Sequence, residues 1–393
     1  PIMFTSPLSR RGLITFGAFT TVASFSSRLG VAQSPVITIT KSDKTAVGFS
    51  PFSGSDGAAV SEAVKRDLAS SNAFTLGAAG AGNYTVRGTS NGSSLRGQLS
   101  DPSGKVVLDK TYNGSLKQRA HEFADDIVKA VTGSKGFAGS KIAFVATRTG
   151  RKEIYTADAD GSNVQQLTKD GAISVAPSLS ANGRKLLYTG YQSGYADVYS
   201  IDLGSGGRSR LLKYPGTNSG AVYSPDGSRI AVSLSKDGNP ELYVVGADGG
   251  SPNRLTTTAG VESSPTWSPN GSQIIYSSDS SGSPQLYKIN ASGGTPQLLR
   301  TGQPYNTEPN WSPDGSKVAF NVRQGGSFAV AILNLGGGGV RVVGEGQDPV
   351  WGPDSRHLLY AQGGSLVRLD TLSGTKVQVV SGVGRISEPA WSH

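Results

Sequence analysis

Trp267-Ser268-Pro269-Asn270-Gly271-Ser272 and Trp311-Ser312-Pro313-Asp314-Gly315-Ser316 are two copies of one phrase. The large residue that heads it returns at Leu179, Tyr223, Trp267, Trp311, Trp351 and Trp391, at intervals of 44, 44, 44, 40 and 40 residues. Within a copy, a strand ends at Trp-Ser, Pro presets φ for a turn, Asp or Asn hydrogen-bonds its own backbone, and Gly accepts the left-handed conformation. The residues that follow are β-rich, as in Gln273-Ile274-Ile275-Tyr276 and Lys317-Val318-Ala319-Phe320, so the phrase is a hairpin turn. A third strand carries Asp197-Val198-Tyr199, Glu241-Leu242-Tyr243 or Gln285-Leu286-Tyr287, and a fourth closes on Arg254-Leu255-Thr256 or Gln297-Leu298-Leu299. Four strands per copy and six copies predict an all-β six-bladed β-propeller with WD40-like repeats.

The two ends of the repeat region are complementary. Lys141-Ile142-Ala143-Phe144, Glu153-Ile154-Tyr155 and Gln166-Leu167-Thr168 supply three strands of a blade with no Trp-Ser strand before them. Glu388-Pro389-Ala390-Trp391-Ser392-His393 is one innermost strand with no blade after it. Residues 386–392 are therefore expected to pair beside residues 141–146, closing the ring and hiding two open sheet edges.

Ahead of the propeller the texture changes. In residues 1–32, Arg10-Arg11 precede an apolar run through Phe16, Phe19, Val22 and Phe25, and Gly30-Val31-Ala32 offers small residues for cleavage, the pattern of an export signal. A mature chain of this kind does not span a membrane. Residues 33–136 read as a small α/β domain. A strand is expected at Thr45-Ala46-Val47-Gly48-Phe49, then a helix over 56–70 with Val60, Ala63, Val64 and Leu68 on one face, and strands near 84–88, 94–99 and 106–112. A second helix opens with a capping box at Ser115 and Gln118 and stops at Gly133. Residues 137–393 form the propeller.

Composition narrows the chemistry. The chain has 393 residues, 54 glycines suited to its many turns, and no cysteine, which excludes disulfides and thiolate metal sites. Its formal charge of +9 falls to +6 without Arg10, Arg11 and Arg28, and the remaining cations are dispersed, with no basic run that would mark a nucleic-acid footprint. The tryptophans tempt a base-stacking reading, but each heads a turn at one fixed blade position, where packing between blades accounts for it. Gly88-Thr89-Ser90-Asn91-Gly92 matches a nucleophile pattern yet leads from strand to strand as a hairpin loop, without the strand-to-helix turn that a nucleophile elbow needs. His121-Glu122 begins like a zinc-protease helix, but Asp125 stands at the second histidine's place, and His357 and His393 complete a set of 3 histidines. Asp158, Asp160, Gly161 and Asn163 resemble a calcium loop without its closing Glu. No catalytic residue, metal site or cofactor is expected.

The order of parts is specific. A leader, a small α/β domain containing Val47-Gly48-Phe49-Ser50-Pro51-Phe52 and Asp67-Leu68-Ala69-Ser70-Ser71-Asn72-Ala73-Phe74, the junction Val131-Thr132-Gly133-Ser134-Lys135-Gly136-Phe137, and six Trp-Ser-Pro-Asp-Gly-like copies resemble the TolB family, the periplasmic component of the Tol-Pal system. The resemblance covers essentially the whole mature chain. It implies a periplasmic, monomeric docking protein that binds the lipoprotein Pal at the mouth of the propeller channel and TolA through the first mature residues, with other outer-membrane proteins as further partners. Such a role supports outer-membrane integrity and envelope constriction in cell division. The corresponding segment here is 33–42, where Val36, Ile37, Thr38 and Ile39 can be offered as a strand to a partner.

Propeller geometry places the mouth. Loops leading into the innermost strands crowd round one end of the axis, so residues 214–218, 260–263, 305–308, 345–347 and 385–388 are expected to share one rim. Tyr214, Thr217, Asn218, Glu262, Ser263, Tyr305, Asn306, Thr307, Glu308, Arg385 and Glu388 are the candidate partner contacts, with Glu262, Glu308 and Glu388 read at similar repeat positions. Thr217 stands where some relatives carry histidine. Two further readings stay open: a non-catalytic regulatory or sieving propeller serving a periplasmic hydrolase on another chain, and a channel that binds peptidoglycan fragments.

Overall fold

The computed structural model describes residues 44–80 and 83–393, and the expected leader, together with Val36, Ile37, Thr38 and Ile39, lies outside them. The first part is a five-stranded sheet with two helices. Its elements are β1 (Thr45–Phe49), α1 (Gly57–Ser70), β2 (Phe74–Ala78), β3 (Tyr84–Asn91), β4 (Ser94–Ser100), β5 (Val106–Asn113) and α2 (Leu116–Thr132), in sheet order β2-β1-β3-β4-β5. β1 runs parallel to β2 and β3, whereas β3, β4 and β5 form an antiparallel meander. β2 escapes a period-two reading because Gly77 and Ala78 carry little side chain; its pairing with β1 and the burial of Phe74 hold it in place.

Both helices obey their local signals. Val60, Ala63, Val64 and Leu68 of α1 are buried at three- and four-residue spacing. α2 starts with the reciprocal capping box of Ser115 and Gln118 and ends at Gly133 with φ 77°. The α2 core residue Phe123 lies so close to β4 that a Cβ on Gly97 would meet its ring at 2.6 Å, which requires glycine there.

Six four-stranded sheets follow. The first blade combines the chain's last strand, Ile386–Trp391, with Lys141–Ala146, Glu153–Asp158 and Gln165–Gln166. The other innermost strands are Ser174–Leu179, Asn218–Tyr223, Glu262–Trp267, Asn306–Trp311 and Gln347–Trp351, opening the second to sixth blades. The expected closure is present: Ile386 pairs with Ala146 and Trp391 with Ile142. The Trp391 Nε1–H donates to Ser140 Oγ at 2.7 Å, and its ring packs against Phe137 at 5.5 Å.

Each tryptophan packs against the blade before its own, as the fixed repeat position predicts. Trp267 joins Leu242 and Val244, Trp311 joins Ile275 and Leu286, Trp351 joins Ala319 and Val330, and Trp391 joins Val350 and Leu359. The aromatic positions are therefore the mortar between blades, with little surface left for stacking a base.

The α/β part is fastened to the propeller at the end where third strands finish. Lys117 Nζ donates to Asp158 Oδ2 at 2.6 Å, and Arg368 Nη2 donates to Ser70 Oγ at 2.7 Å. Asn72 Nδ2 donates to Asp370 Oδ2 at 2.6 Å. Burial raises the Asp370 carboxyl, but hydrogen bonds from Arg356, Ser373 and Asn72 outweigh it and hold the group well below the usual carboxylate range. Innermost strands begin at the opposite end, so these contacts leave the channel mouth uncovered.

Candidate functional site: the channel mouth

The six innermost strands share a device that the repeat phrase does not reveal. Three residues before each phrase-heading position lie Ala176, Gly220, Ser264, Glu308, Asp348 and Glu388, with φ between 50° and 63°. Proline follows at Pro177, Pro265, Pro309, Pro349 and Pro389, and strand pairing slips at each site. Each is a β-bulge that re-aims one residue toward the axis. Together they ring a channel cavity of about 750 Å³ lined also by Ser219, Ser263, Gln347 and Ser387.

The ring is electrostatically lopsided. Three consecutive blades contribute Glu308, Asp348 and Glu388, while the other three contribute Ala176, Gly220 and Ser264. Glu388 is held from three sides: its N–H donates to Asp348 Oδ2 at 3.0 Å, Ala176 N–H donates to its Oε2 at 2.7 Å, and Lys152 Nζ lies 3.2 Å from its Oε1. Asp348 N–H donates to Asn321 Oδ1 at 2.9 Å. Glu308 faces channel solvent yet is ringed by protein; burial, reinforced by the charges of Asp348 and Glu388 against the pull of Ser264, pushes its carboxyl up to about 7. Burial also raises Asp348, with the Glu388 charge adding to it and the Glu388 N–H opposing.

The other expected rim residues divide by exposure. Asn218, Glu262 and Asn306 have 0% exposure and clamp blade edges rather than facing outward, which corrects their reading as contact residues. Asn218 Nδ2 donates to Tyr214 O at 2.8 Å and to Ala196 O at 3.2 Å; Asn306 Nδ2 donates to Gln285 Oε1 at 2.7 Å. Glu262 accepts from Thr258 Oγ1 and Ser278 Oγ, both at 2.8 Å. It stands five residues before Trp267, so its repeat partners are Asn218 and Asn306; the equivalents of Glu308 and Glu388 are Asp348 and three uncharged residues. Counting back from Trp351 would have found Asp348.

Thr217 and Arg385 are exposed, and Tyr214, Ser263, Tyr305, Thr307 and Glu388 are half-buried. Tyr214 is half spent on structure, its hydroxyl donating to Gly249 O at 2.9 Å. Tyr305 packs on Phe328 at 6.2 Å and under Arg323 at 4.8 Å.

The sites weighed as enzymatic have structural roles. Ser90 lies within β3, one step before the turn rather than in it, and is buried with Arg119 Nη1 donating to its Oγ at 2.7 Å. His121 pairs with Asp67 at 2.7 Å, and Asp125 accepts the N–H groups of Ala138 and Gly139 at the junction. Asp158 binds Lys117 and Lys141. Among the described residues no group of three acidic or histidine side chains is placed to hold a metal ion, and no helix is long and apolar enough to cross a membrane.

Fold and mouth define a class: a six-bladed propeller with an α/β domain fastened to one end and an open, channel-centred rim at the other. Residues 128–393 match the family described as TolB beta propeller domain, and the chain belongs to that family. It is 45% identical over 101 residues to the Tol-Pal system protein TolB of Geobacter metallireducens and 42% identical over 90 residues to the protein TolB homolog of Chlorobium chlorochromatii. Those matched segments are 25% and 22% of this chain and 23% and 20% of the relatives, so this chain matches less than a quarter of the length of either relative. The similarity to the solved TolB of Acinetobacter baumannii is longer: 26% identity and a TM-score of 0.77 over 89% of this chain and 96% of that one.

Proposed function

We propose that this chain is a periplasmic, non-catalytic docking protein of the Tol-Pal system. It binds the lipoprotein Pal at the channel mouth and TolA through the segment holding Val36, Ile37, Thr38 and Ile39, in support of outer-membrane integrity and envelope constriction. The observation that carries this reading is positional: the α/β part occupies the end opposite the bulge ring, which leaves Thr217, Ser263, Tyr305, Thr307, Glu308, Arg385 and Glu388 accessible round an opening. A surface of this extent suits a reversible interface of about 1,600 Å².

Calorimetric titration of residues 33–393 with the soluble domain of Pal tests it. Tyr305→Ala with Glu308→Lys is expected to weaken binding at least tenfold with an unchanged circular dichroism spectrum. An unaltered affinity removes the rim assignment. Deleting residues 33–42 is expected to abolish TolA capture; a deleted chain that still captures TolA removes the segment assignment.

A further inference from the structure

Charge at the mouth is segregated. Where the first and second blades meet, one loop carries Arg148, Arg151 and Lys152, and Arg385 is stitched to it: Thr147 N–H donates to Arg385 O at 3.1 Å and Arg385 N–H to Thr147 Oγ1 at 2.9 Å. The same loop touches the segment leading into the second blade, since Ser174 N–H donates to Lys152 O at 2.9 Å and the Arg151 guanidinium donates to Gly171 O. That segment brings Lys169 and Ile173. Ile173 O accepts the N–H of Tyr191 at 3.0 Å, from the hairpin loop that also holds Tyr195.

All five cations are exposed, as are Ile173 at 48%, Tyr191 at 42% and Tyr195 at 69%. The acids nearby are already engaged, Asp170 by Arg208 at 2.5 Å and Glu388 by Lys152 at 3.2 Å. Arg148, Arg151, Lys169 and Arg385 form no ion pair with any described residue. Clustered cations without counter-charges, beside bare tyrosine rings, have the composition of an interface anchor rather than of a solvated loop.

We propose that this corner docks a protein segment rich in carboxylates, which lays apolar surface on Ile173, Tyr191 and Tyr195 and places its acids against Arg148, Lys169 and Arg385. The neighbouring lumen argues for a protein rather than a polyanion. A nucleic acid or anionic lipid lying across the mouth would bring its charge onto Glu308, Asp348 and Glu388, whereas a protein surface can be acidic at its edge and neutral or basic over the channel. The proposal rests on the docking reading above in taking Pal as the partner.

Stopped-flow association of residues 33–393 with the soluble Pal domain, at low and high salt, tests it. Arg148→Glu, Lys169→Glu and Arg385→Glu together are expected to slow association roughly tenfold to a hundredfold at low salt and to flatten its salt dependence. Tyr195→Ala is expected to speed dissociation about tenfold. The Lys replacements at Arg148 and Arg385 keep wild-type rates. If the wild type binds and the triple variant matches its rates, while Tyr305→Ala with Glu308→Lys weakens binding, the rim reading stands and the corner falls. A wild type that does not bind Pal takes both down. Tighter binding of a 20-nucleotide single-stranded DNA or of phosphatidylglycerol vesicles than of Pal makes the corner a polyanion site and overturns the proposal.

Discussion

Glu262→Gln should make the propeller more resistant to alkaline conditions, and the structure supplies the size of the effect. Glu262 and Glu241 are both 0% exposed and meet between the third and fourth blades. Their Oε1 atoms are satisfied: Thr258 Oγ1 and Ser278 Oγ donate to Glu262, and Arg254 Nη2 and Thr258 N–H donate to Glu241 at 2.8 and 2.7 Å. Each Oε2 has no donor, so the two carboxyls need a shared proton. Arg254, Tyr243 and Tyr276 are the other titratable or charged groups that press on the pair, and Asp237 acts in turn on Arg254 and Tyr243.

Burial, with the Glu241 hydrogen bond and charge adding to it against Ser278 and Thr258, pushes Glu262 up to about 7 from an ordinary 4.5. A carboxyl raised in the folded state stabilises fully below the unfolded value, and that contribution is lost as pH climbs to the folded one. At about 1.4 kcal/mol per pH unit, the loss between pH 4.5 and pH 7 is about 3 kcal/mol. Gln at 262 stays neutral and can donate to Glu241, as Asn306 donates to Gln285 at the same position one blade on.

The assay is urea unfolding followed by tryptophan fluorescence at pH 5, 6, 7 and 8, since all four tryptophans head innermost-strand turns. Taking the difference between variant and wild type cancels the titration of Glu308 in the same range. The variant should exceed the wild type by about 1 kcal/mol at pH 5 and by about 3 kcal/mol at pH 8. Parallel stability curves across that range would refute the shared proton.

Deleting residues 386–393 removes the first blade's innermost strand, and with it the contacts of Trp391 to Ser140 and Phe137. The loss should exceed the roughly 3–5 kcal/mol of one buried tryptophan; an unchanged melting temperature would deny the ring closure. Gly97→Ala drives a methyl into the Phe123 ring and should destabilise the α/β part by about 1–3 kcal/mol in chemical denaturation, leaving propeller fluorescence alone.

The sequence by itself determined the architecture, because that rests on local and periodic signals. Turn chemistry at Pro-Asp-Gly, alternating strands and a 40–44-residue repeat specify a blade wherever they occur, and an unmatched strand at each end can be satisfied only by the other. The capping box at Ser115 and the stop at Gly133 were legible for the same reason. Tertiary structure alone decided what faces the channel. Asn218, Glu262 and Asn306 look like rim polar residues but turn inward: the two asparagines pair backbone carbonyls that a blade edge leaves away from water, and Glu262 accepts from the hydroxyls of Thr258 and Ser278. Glu308, Asp348 and Glu388 reach the axis through a left-handed bulge that no residue preference announces, since Ala176 and Ser264 adopt it too. The basic corner is likewise invisible in one dimension: Arg148 and Arg385 are separated by nearly the whole propeller and become neighbours only when the last strand closes the ring.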